Sequence, residues 1–367
     1  MTIDTDILTN EEKISFALRS LYFQRGYAPY RMSKFEEYEL YLENKNFLKS
    51  QHIITFHDLD GRVLALKPDV TLSIVRNASF VPGCKQKLYY HENVYRPAGS
   101  SRQFREIMQC GLECIGDLDN YDVYEVLHLA VESLHAISSH SVLSVSHLGI
   151  LKSLFSCLDA GEREQGEILK LTAARNEHEL AALWGQQGWD QNRLQDLRAL
   201  LGLNCSLREL PEKLESLKLE WLDASVRKEL CELSALCEAE DSALCFDLSV
   251  INDIHYYNGI VFRGFVQEVA EKVISGGRYD SLLKRMNRKG SAIGFAVYLG
   301  ILDQMLETGE TNDADVLLLY DQETPLPLVR DTANKLQRAG RSVSAQRSPE
   351  AGRYGEIVDL RGGEKHA

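Results

Sequence analysis

The stretches KLYYHENVYR at residues 87–96 and REIMQCGLECIG at residues 105–116 decide the fold. Both are rich in aromatic and β-branched residues, which favour strands, and the PAGSSRQF between them contains the Pro, Gly and Ser typical of a loop. Together they predict one long antiparallel hairpin with a mobile tip. Successive side chains of a strand point to opposite faces, so Gln109, Gly111 and Glu113 are expected on one face of the return strand.

Helices and short strands surround this hairpin in the first half of the sequence. Apolar residues at helical spacing predict a helix from Asn10 to just before Gly26 and another over residues 119–135. Residues 49–75 contain short β-like runs, and the Asp-Gly pair at residues 60–61 predicts a hairpin turn between two of them. The segment HSVLSVSHLG adds a further β-rich run.

The second half changes character twice. From about residue 151 to 244 the sequence is rich in Leu, Glu, Ala and Arg at helical spacing, which predicts a separate all-helical insertion. Strand patterns then return, and the paired Gly276 and Gly277 indicate a bulge or a close backbone approach before a helix. Strands outnumber the helices that flank them, so residues 1–310 are predicted to form an α+β domain with an antiparallel sheet. Residues 313–367 predict a small βαβ-like C-terminal domain.

Composition and charge narrow the classes of partner. The 367 residues include 41 Lys and Arg against 54 Asp and Glu, a formal net charge of −13. Proteins that bind nucleic acid need a clustered basic surface, so this balance disfavours a nucleic-acid partner. No stretch is apolar enough to predict a membrane span, and the acidic N-terminal MTIDTDILTNEEK is unlike a signal peptide. A cytoplasmic location without membrane contact is therefore expected.

Motifs for common cofactors and metals are missing from the sequence. None of the patterns GxxxxGK[ST], GxGxxG, HExxH and GxSxG occurs, so no cofactor is expected. Cys110 and Cys114 are the one close pair among eight cysteines, and neither a second pair nor a neighbouring His completes a zinc set. No metal is expected, and the cysteines are interpreted as free thiols.

Polar residues on and near the hairpin nevertheless indicate a ligand pocket. An amino acid requires an acidic group for its ammonium, a fixed guanidinium for its carboxylate and an amide for its side chain. Arg96 ends the first hairpin strand beside the loop, and Asp69 and Thr71 would share one face of another strand. Seven candidates carry this chemistry: Asp69, Thr71, Arg96, Gln109, Glu113, Tyr256 and Tyr257.

Purely structural roles are open for the same residues. Glu113 and Arg96 could form a cross-strand ion pair. Tyr256 and Tyr257 could be ordinary sheet residues with one ring buried and the other exposed. Residue types alone do not show that these side chains converge.

The order and wording of several segments resemble the catalytic core of class II aminoacyl-tRNA synthetases, specifically of the histidyl-tRNA synthetase type. The resemblance runs from about residue 10 to residue 305 and implies an antiparallel sheet flanked by helices. Several motifs in the same order make it specific, whereas a lone GGRYD would be weak. The segments that carry it are RGYAPYRMSKFE, LALKPDVTLSIVR, NVYRP, REIMQCGLE, HYYNGIVF, GGRYDSLL and AIGFAVYLGIL.

The resemblance implies a histidine pocket built from the seven candidates. Asp69 and Thr71 would hold the α-amino group, with Gln109 and Glu113 nearby. Arg96 would face the carboxylate, while the two tyrosines at 256 and 257 would line the imidazole. Asp69 replaces a glutamate usual in the synthetases, which shortens its reach by one methylene.

Three departures from the synthetase pattern argue against an enzyme. Ile301 stands where the third class II motif has its ATP-binding arginine, and an aliphatic side chain offers neither charge nor donors. Ala98 follows Arg96-Pro97 where the second motif has a glutamate. Asn252 stands at the arginine that aids activation of the amino acid. Loss of two arginines removes much of the stabilisation of the reacting phosphate, so adenylation is not expected.

A synthetase-like core that keeps the amino-acid pocket and lacks ATP chemistry resembles the regulatory subunits of ATP phosphoribosyltransferase. That resemblance implies a partner, the short-form catalytic subunit, and a hetero-octamer built around dimers of this chain. It also implies a part in feedback inhibition by histidine in the first step of histidine biosynthesis. The alternatives are a divergent histidyl-tRNA synthetase and a stand-alone histidine-binding sensor.

Overall fold

A computed structural model describes residues 8–48, 52–79, 81–97, 103–237, 243–251, 256–305, 312–348 and 352–362. Its strands, in chain order, are β1 (Ala28–Pro29), β2 (Phe35–Glu37), β3 (Thr55–His57), β4 (Val63–Leu66), β5 (Lys85–Pro97), β6 (Phe104–Gly116), β7 (Ser141–His147), β8 (Cys205–Ser206), β9 (Leu244–Phe246), β10 (Ile260–Val266), β11 (Ile274–Arg278), β12 (Ser291–Tyr298), β13 (Ala314–Leu319), β14 (Val343–Gln346) and β15 (Tyr354–Asp359).

The helices, in the same order, are α1 (Asn10–Gln24), α2 (Tyr38–Glu43), α3 (Thr71–Asn77), α4 (Asn120–His135), α5 (Leu148–Leu158), α6 (Glu162–Ala173), α7 (Glu177–Gln187), α8 (Gln191–Leu201), α9 (Leu210–Ser216), α10 (Ala224–Leu236), α11 (Asp280–Arg285) and α12 (Leu326–Arg338). Two 3₁₀ helices cover Lys45–Phe47 and Leu299–Met305. The chain divides into two compact units, Met1–Met305 and Leu306–Ala367. Among the described residues, no helix has the length and apolar character needed to cross a bilayer.

The long hairpin predicted from the sequence is confirmed. β5 and β6 pair antiparallel along their whole lengths, from Lys85 opposite Gly116 to Pro97 opposite Phe104. They belong to a nine-stranded sheet with the order β1-β5-β6-β12-β11-β10-β7-β9-β8. Pairing is antiparallel except between β1 and β5 and between β7 and β9. The predicted α+β class is therefore confirmed, while the hairpin tip at residues 98–102 lies outside the described residues.

The two faces of β6 contact different hydrophobic clusters. Cys110, Leu112 and Cys114 point into the larger cluster, which includes Leu18 of α1 and Val126 of α4. The intervening residues of β6 face the opposite side, where Ile115 packs in a second cluster with α3 and α11. The sheet is thus covered by helices on both sides, and the polar residues Gln109 and Glu113 lie on the side of the second cluster.

Capping boxes fix where the helices of the larger cluster begin. The Thr9 side chain accepts a hydrogen bond from the backbone of Glu12, whose carboxylate accepts one from the backbone of Thr9. Asp119 and Asp122 make the same reciprocal pair at the start of α4. Each box satisfies N–H groups that would otherwise lack partners in the first turn. The predicted helices at these two places are confirmed.

The insertion is neither separate nor wholly helical, so this expectation was wrong. Residues 148–236 form α5 to α10, but the two-residue strand β8 lies among them and pairs with β9 in the main sheet. Buried leucines of the insertion, such as Leu194 and Leu230, belong to the same cluster as Leu112 of the sheet. Amphipathic helices bury their apolar stripe against whatever core is adjacent, and here that core is the sheet's own.

The segment after β4 also differs from its prediction. Asp69 lies in a loop and Thr71 begins α3, so the two residues do not share a face of a strand. The Asp69 carboxylate accepts a hydrogen bond of 3.0 Å from the backbone N–H of Leu72, which stabilises the first turn of the helix. α3 is buried from Thr71 to Val75. A short run buried on all sides cannot be distinguished from a strand by its period.

The second unit contains a three-stranded parallel sheet in the order β14-β13-β15. The α12 helix connects β13 to β14, as the predicted βαβ pattern requires. The structure adds β15, which pairs with the other edge of β13. Val316 and Leu318 of the central strand are fully buried, consistent with the apolar run DVLLLY.

Gly276 of β11 lies where the neighbouring strands β10 and β12 approach it closely. A Cβ atom at this position would lie 2.5 Å from the backbone oxygen of Gly294 and 2.6 Å from the Phe262 ring. The close approach predicted for the paired glycines is therefore confirmed. Gly185, in contrast, lies in α7 and has no other atom within 4 Å of an added Cβ.

We expect Gly276→Ala to reduce the free energy of unfolding by about 2 kcal/mol or more, because the methyl group overpacks a rigid backbone. Gly185→Ala is the matched control and should raise stability by up to about 1 kcal/mol through helix propensity. Urea unfolding of both variants tests this pair. An unchanged midpoint for Gly276→Ala would contradict the close packing of the central strands.

Candidate functional site

A cavity enclosing about 930 Å³ of empty space, part of it open to solvent, lies on the side of the second cluster. It brings together all seven residues predicted from the sequence: Asp69, Thr71, Arg96, Gln109, Glu113, Tyr256 and Tyr257. The remaining lining residues are Phe47, Val70, Tyr90, Ile251, Arg263, Lys272, Ser275, Tyr279, Gly294, Phe295 and Ala296. The floor of the cavity is formed by β6, β11 and β12, and α3 contributes one wall.

Glu113 is the most buried charged residue of the cavity lining, with 2% of its surface exposed. Its carboxylate accepts hydrogen bonds from the Thr71 hydroxyl at 2.7 Å and from the Tyr279 hydroxyl at 2.6 Å. Gly294 lies directly opposite on β12, and a Cβ there would lie 1.8 Å from a Glu113 oxygen. The missing side chain of Gly294 thus provides the space that the carboxylate occupies.

Burial changes the protonation of this carboxyl group. It raises the pKa of Glu113 to about 8, although the hydrogen bonds from Tyr279 and Thr71 oppose the shift, and the nearby negative charge of Asp69 adds to it. At neutral pH Glu113 is therefore mainly protonated in the folded chain. A cationic group placed beside Glu113 would favour the ionised form and would be bound by it.

Aromatic side chains form the wall opposite β6. The Tyr256 ring lies 4.5 Å from Tyr257, 5.8 Å from Tyr279 and 5.9 Å from Phe47, measured between centroids. Burial, together with the Asp69 charge, holds the pKa of Tyr256 far above its ordinary range, so its hydroxyl keeps its proton. The wall offers flat apolar ring surfaces together with phenolic hydroxyl groups.

Basic and amide groups line the other part of the cavity. Arg96 and Gln109 are 7% and 4% exposed, and the Gln109 amide nitrogen is buried without a hydrogen-bond partner among the described residues. Such a donor needs a partner, and a bound ligand could supply one. Arg263 on β10 and Lys272 add two further cations to the lining. Burial lowers the pKa of Arg263.

The purely structural roles considered for these residues are wrong. In the hairpin register Arg96 lies opposite Arg105, and Glu113 lies opposite Leu88, so Arg96 and Glu113 are not cross-strand partners. Tyr256 and Tyr257 precede β10 and are both half-buried, rather than one buried and one exposed within a strand.

Sequence reasoning missed five polar residues of the cavity, which are Tyr90, Arg263, Lys272, Ser275 and Tyr279. Tyr279 donates to Glu113 and lies in the quoted GGRYD segment, so its motif was available as a signal. Arg263 follows the HYYNGIVF segment directly, whereas nothing in the sequence pattern marks Lys272. Across the part of the chain that the structure describes, no three His, Cys, Asp or Glu side chains are arranged to hold a metal ion.

The three positions expected from the resemblance to depart from the synthetase pattern fall in different places. Ile301 lies in the second 3₁₀ helix, where it is half-buried and packs against the larger hydrophobic cluster. It does not belong to the cavity lining. Ala98 and Asn252 lie outside the described residues.

Glu113 should make stability depend on pH. Its carboxyl keeps its proton up to about pH 8 when folded, but only up to about 4.3 in an unfolded chain. The stability it contributes is complete below pH 4.3 or so and is lost as pH rises through about 8, by up to about 1.4 kcal/mol per unit. In urea unfolding at several pH values between these limits, Glu113→Gln should flatten this fall. Equal slopes for both proteins would contradict the raised pKa.

Comparisons with known proteins agree with this architecture. The family model described as histidyl-tRNA synthetase matches residues 6–302. An ATP phosphoribosyltransferase regulatory subunit of Bacillus cereus is 26% identical over 354 residues, which cover 90% of this chain and 81% of the relative. The family match covers both hairpin strands and every residue that lines the cavity.

Two solved structures share the fold. One, described as an ATP phosphoribosyltransferase regulatory subunit/histidyl-tRNA synthetase from Bacillus halodurans, superposes with a TM-score of 0.76 at 22% identity, covering 99% of this chain and 100% of that one. The other, in the ATP phosphoribosyl transferase (HisG:HisZ) complex from Thermotoga maritima, gives a TM-score of 0.61 at 20% identity, covering 80% and 98%. The predicted class II architecture is thereby confirmed. Because its family model matches residues 6–302 of 367, the chain belongs to the histidyl-tRNA synthetase family.

Proposed function

We propose that this chain is a regulatory subunit of ATP phosphoribosyltransferase and has no catalytic activity of its own. Relatives that carry this name match it over most of its length, as the 90% coverage by the Bacillus cereus protein illustrates. The structural neighbour from Thermotoga maritima belongs to a complex of that enzyme. The role would be to support a separate short-form catalytic subunit in the first step of histidine biosynthesis.

The observation that carries this proposal is a difference between the residues expected to bind an amino acid and a position expected to bind ATP. The amino-acid-binding set, including Glu113 and Arg96, lines one cavity. Ile301, which stands at the ATP-binding arginine of the synthetases, instead packs against the hydrophobic core. Phosphoryl chemistry needs fixed positive charge at the triphosphate, and an aliphatic group in a core supplies none. Binding of an amino acid is supported, and its activation is not.

The ligand proposed for the cavity is histidine. Glu113, Thr71 and Asp69 would surround the α-ammonium group with two carboxyls and a hydroxyl. Arg96 would face the carboxylate, and the tyrosine wall would stack on the imidazole ring, with Gln109 as a hydrogen-bond donor. Because Asp69 already accepts a hydrogen bond from the backbone of α3, one of its oxygens is engaged in holding the helix.

Regulation would follow because histidine binding is linked to the equilibrium between active and inhibited states of the assembled enzyme. A ligand shifts a complex between active and inhibited states only when it binds one of them more tightly. We propose that this chain dimerises within a hetero-octamer, and that histidine binding in its cavity favours the inhibited state. The short-form catalytic subunit would be its one obligate partner, and no nucleic acid would take part.

The second candidate is a divergent histidyl-tRNA ligase, because the matching family model carries the description histidyl-tRNA synthetase. Histidine-dependent exchange of pyrophosphate into ATP by the purified chain distinguishes the two functions. A regulatory subunit should give no exchange above a control lacking histidine. Clear exchange would overturn the regulatory proposal in favour of the ligase.

Addition of this chain to a purified short-form catalytic subunit should raise ATP phosphoribosyltransferase activity at least about tenfold, equivalent to about 1.4 kcal/mol of activation free energy. Activity is measured at a fixed concentration of the catalytic subunit while this chain is titrated. Histidine should then lower the stimulated rate. A catalytic subunit that neither binds the chain nor gains activity from it would refute the assignment.

Glu113→Gln and Tyr256→Ala should each weaken histidine binding by about 10- to 100-fold, because each removes a charged or aromatic contact worth about 1.5–3 kcal/mol. Calorimetric titration with histidine gives the affinity, and size-exclusion chromatography with the catalytic subunit checks assembly, which should be intact. Tyr121→Ala, at an exposed tyrosine of α4, is the control. Unchanged affinity in both cavity variants would move the histidine site elsewhere.

A further inference from the structure

A polar network connects the helical insertion to the cavity. On the insertion side, Glu229 of α10 has one carboxylate oxygen 3.3 Å from His147 Nε2 and the other 3.6 Å from Arg278 Nη1. His147 ends β7 and is 3% exposed, and its Nδ1 accepts a hydrogen bond from the backbone of Gly149. In a neutral ring the proton is then on Nε2, facing Glu229. The carboxylate of Glu229 thus lies within ion-pair distance of two side chains of the main sheet, and His147 Nε2 has no hydrogen-bond partner among the described residues.

Close packing surrounds the same point. Val226, one turn before Glu229 on α10, lies so near Gly149 that a Cβ on the glycine would meet it at 2.6 Å. The Val226 side chain therefore packs directly against the start of α5. Glu229 Oε1 is buried and has no hydrogen-bond partner among the described residues besides its ion pair with Arg278.

On the cavity side, Arg278 and Asp280 hold the loop that carries the two tyrosines. Arg278 Nε donates to Asp280 at 2.9 Å, and the Arg278 carbonyl accepts from the backbone of Asn258 at 3.0 Å. Asp280 also accepts from the Asn258 side chain at 3.3 Å and from the backbone of Ala292 at 2.9 Å. The two contacts with Asn258 fix the chain directly after Tyr257.

Two further contacts hold the loop that carries Tyr256 and Tyr257. The Ser281 hydroxyl donates to the carbonyl oxygen of Tyr256 at 2.9 Å. The Tyr257 ring lies over Gly277, where an added Cβ would be 2.7 Å from it. The aromatic wall therefore depends on the same β11–α11 turn that pairs with Glu229. Arg278 thus contacts both Glu229 in the insertion and the loop that carries Tyr256 and Tyr257.

We propose that Glu229 is a positioning residue for the cavity: through Arg278 and Asp280 it holds the loop of Tyr256 and Tyr257, and it thereby couples ligand binding to the packing of α10. The proposal rests on the proposed function, in which the cavity binds histidine. Glu229 itself does not line the cavity. Its effect on the ligand is transmitted by the polar network, and coupling between two sites is reciprocal, so histidine should also stabilise α10.

The test uses the full chain and the variant Glu229→Gln, which keeps the shape of the side chain and removes its charge. Histidine affinity, measured calorimetrically, should fall about tenfold, within the usual range of coupling between sites. Hydrogen–deuterium exchange provides a readout that a merely structural role would not move. In the native chain histidine should slow exchange in both the tyrosine loop and α10, whereas in the variant only the loop should respond.

Glu232→Gln on the same helix is the matched control, because Glu232 is exposed and pairs with Lys228 rather than with the sheet. It should bind histidine as the native chain does. If Glu229→Gln fails to fold, Arg278→Lys is used in its place. It removes the guanidinium group that contacts both Glu229 and Asp280, so the same loss of affinity is expected.

The possible failures are distinguishable. Native affinity in Glu229→Gln, or no response of α10 to histidine in the native chain, would overturn the positioning role and leave the histidine site intact. Failure of the native chain itself to bind histidine would overturn the histidine assignment and this inference with it.

Discussion

The carboxyl group of Glu113 is the point on which the cavity depends. It draws together three segments that are far apart in the sequence: β6 carries it, α3 supplies the Thr71 hydroxyl and the β11–α11 turn supplies the Tyr279 hydroxyl. It fits only because Gly294 on the neighbouring strand has no side chain. Burying a carboxyl group away from water costs free energy, and the hydrogen bonds from the two hydroxyl donors offset only part of that cost. The protein maintains an unfavourable group at the place where a cation is proposed to bind.

Much of this arrangement could be predicted from the sequence, because two features of the sequence indicate the hairpin. Aromatic and β-branched residues give the strands, and alternation places Gln109 and Glu113 on one face. The convergence of residues as distant as Asp69 and Tyr256 could not be derived from spacing. It came from the resemblance to histidyl-tRNA synthetases, and the cavity lining agrees with it.

The errors have physical causes that lie in tertiary structure. The segment at Asp69 and Thr71 was expected to be a strand because a helix buried on every side has no polar face to reveal its period. The insertion was expected to stand apart because a helical apolar stripe does not specify which core it covers. Lys272 gave no signal, since a single lysine in a loop between strands is indistinguishable from a surface residue until the chain is folded.

The shared core of the insertion and the sheet has a consequence for how the protein can change over evolutionary time. A domain with its own core can be deleted, exchanged or moved as a unit. Here Leu194 and Leu230 belong to the same apolar cluster as Leu112, and β8 extends the central sheet. Excision would leave the sheet with exposed apolar surface and an unpaired edge. The insertion and the sheet must therefore be retained together during evolution. A protein of this fold that loses one activity does so by substitution of individual side chains, while the whole scaffold is kept.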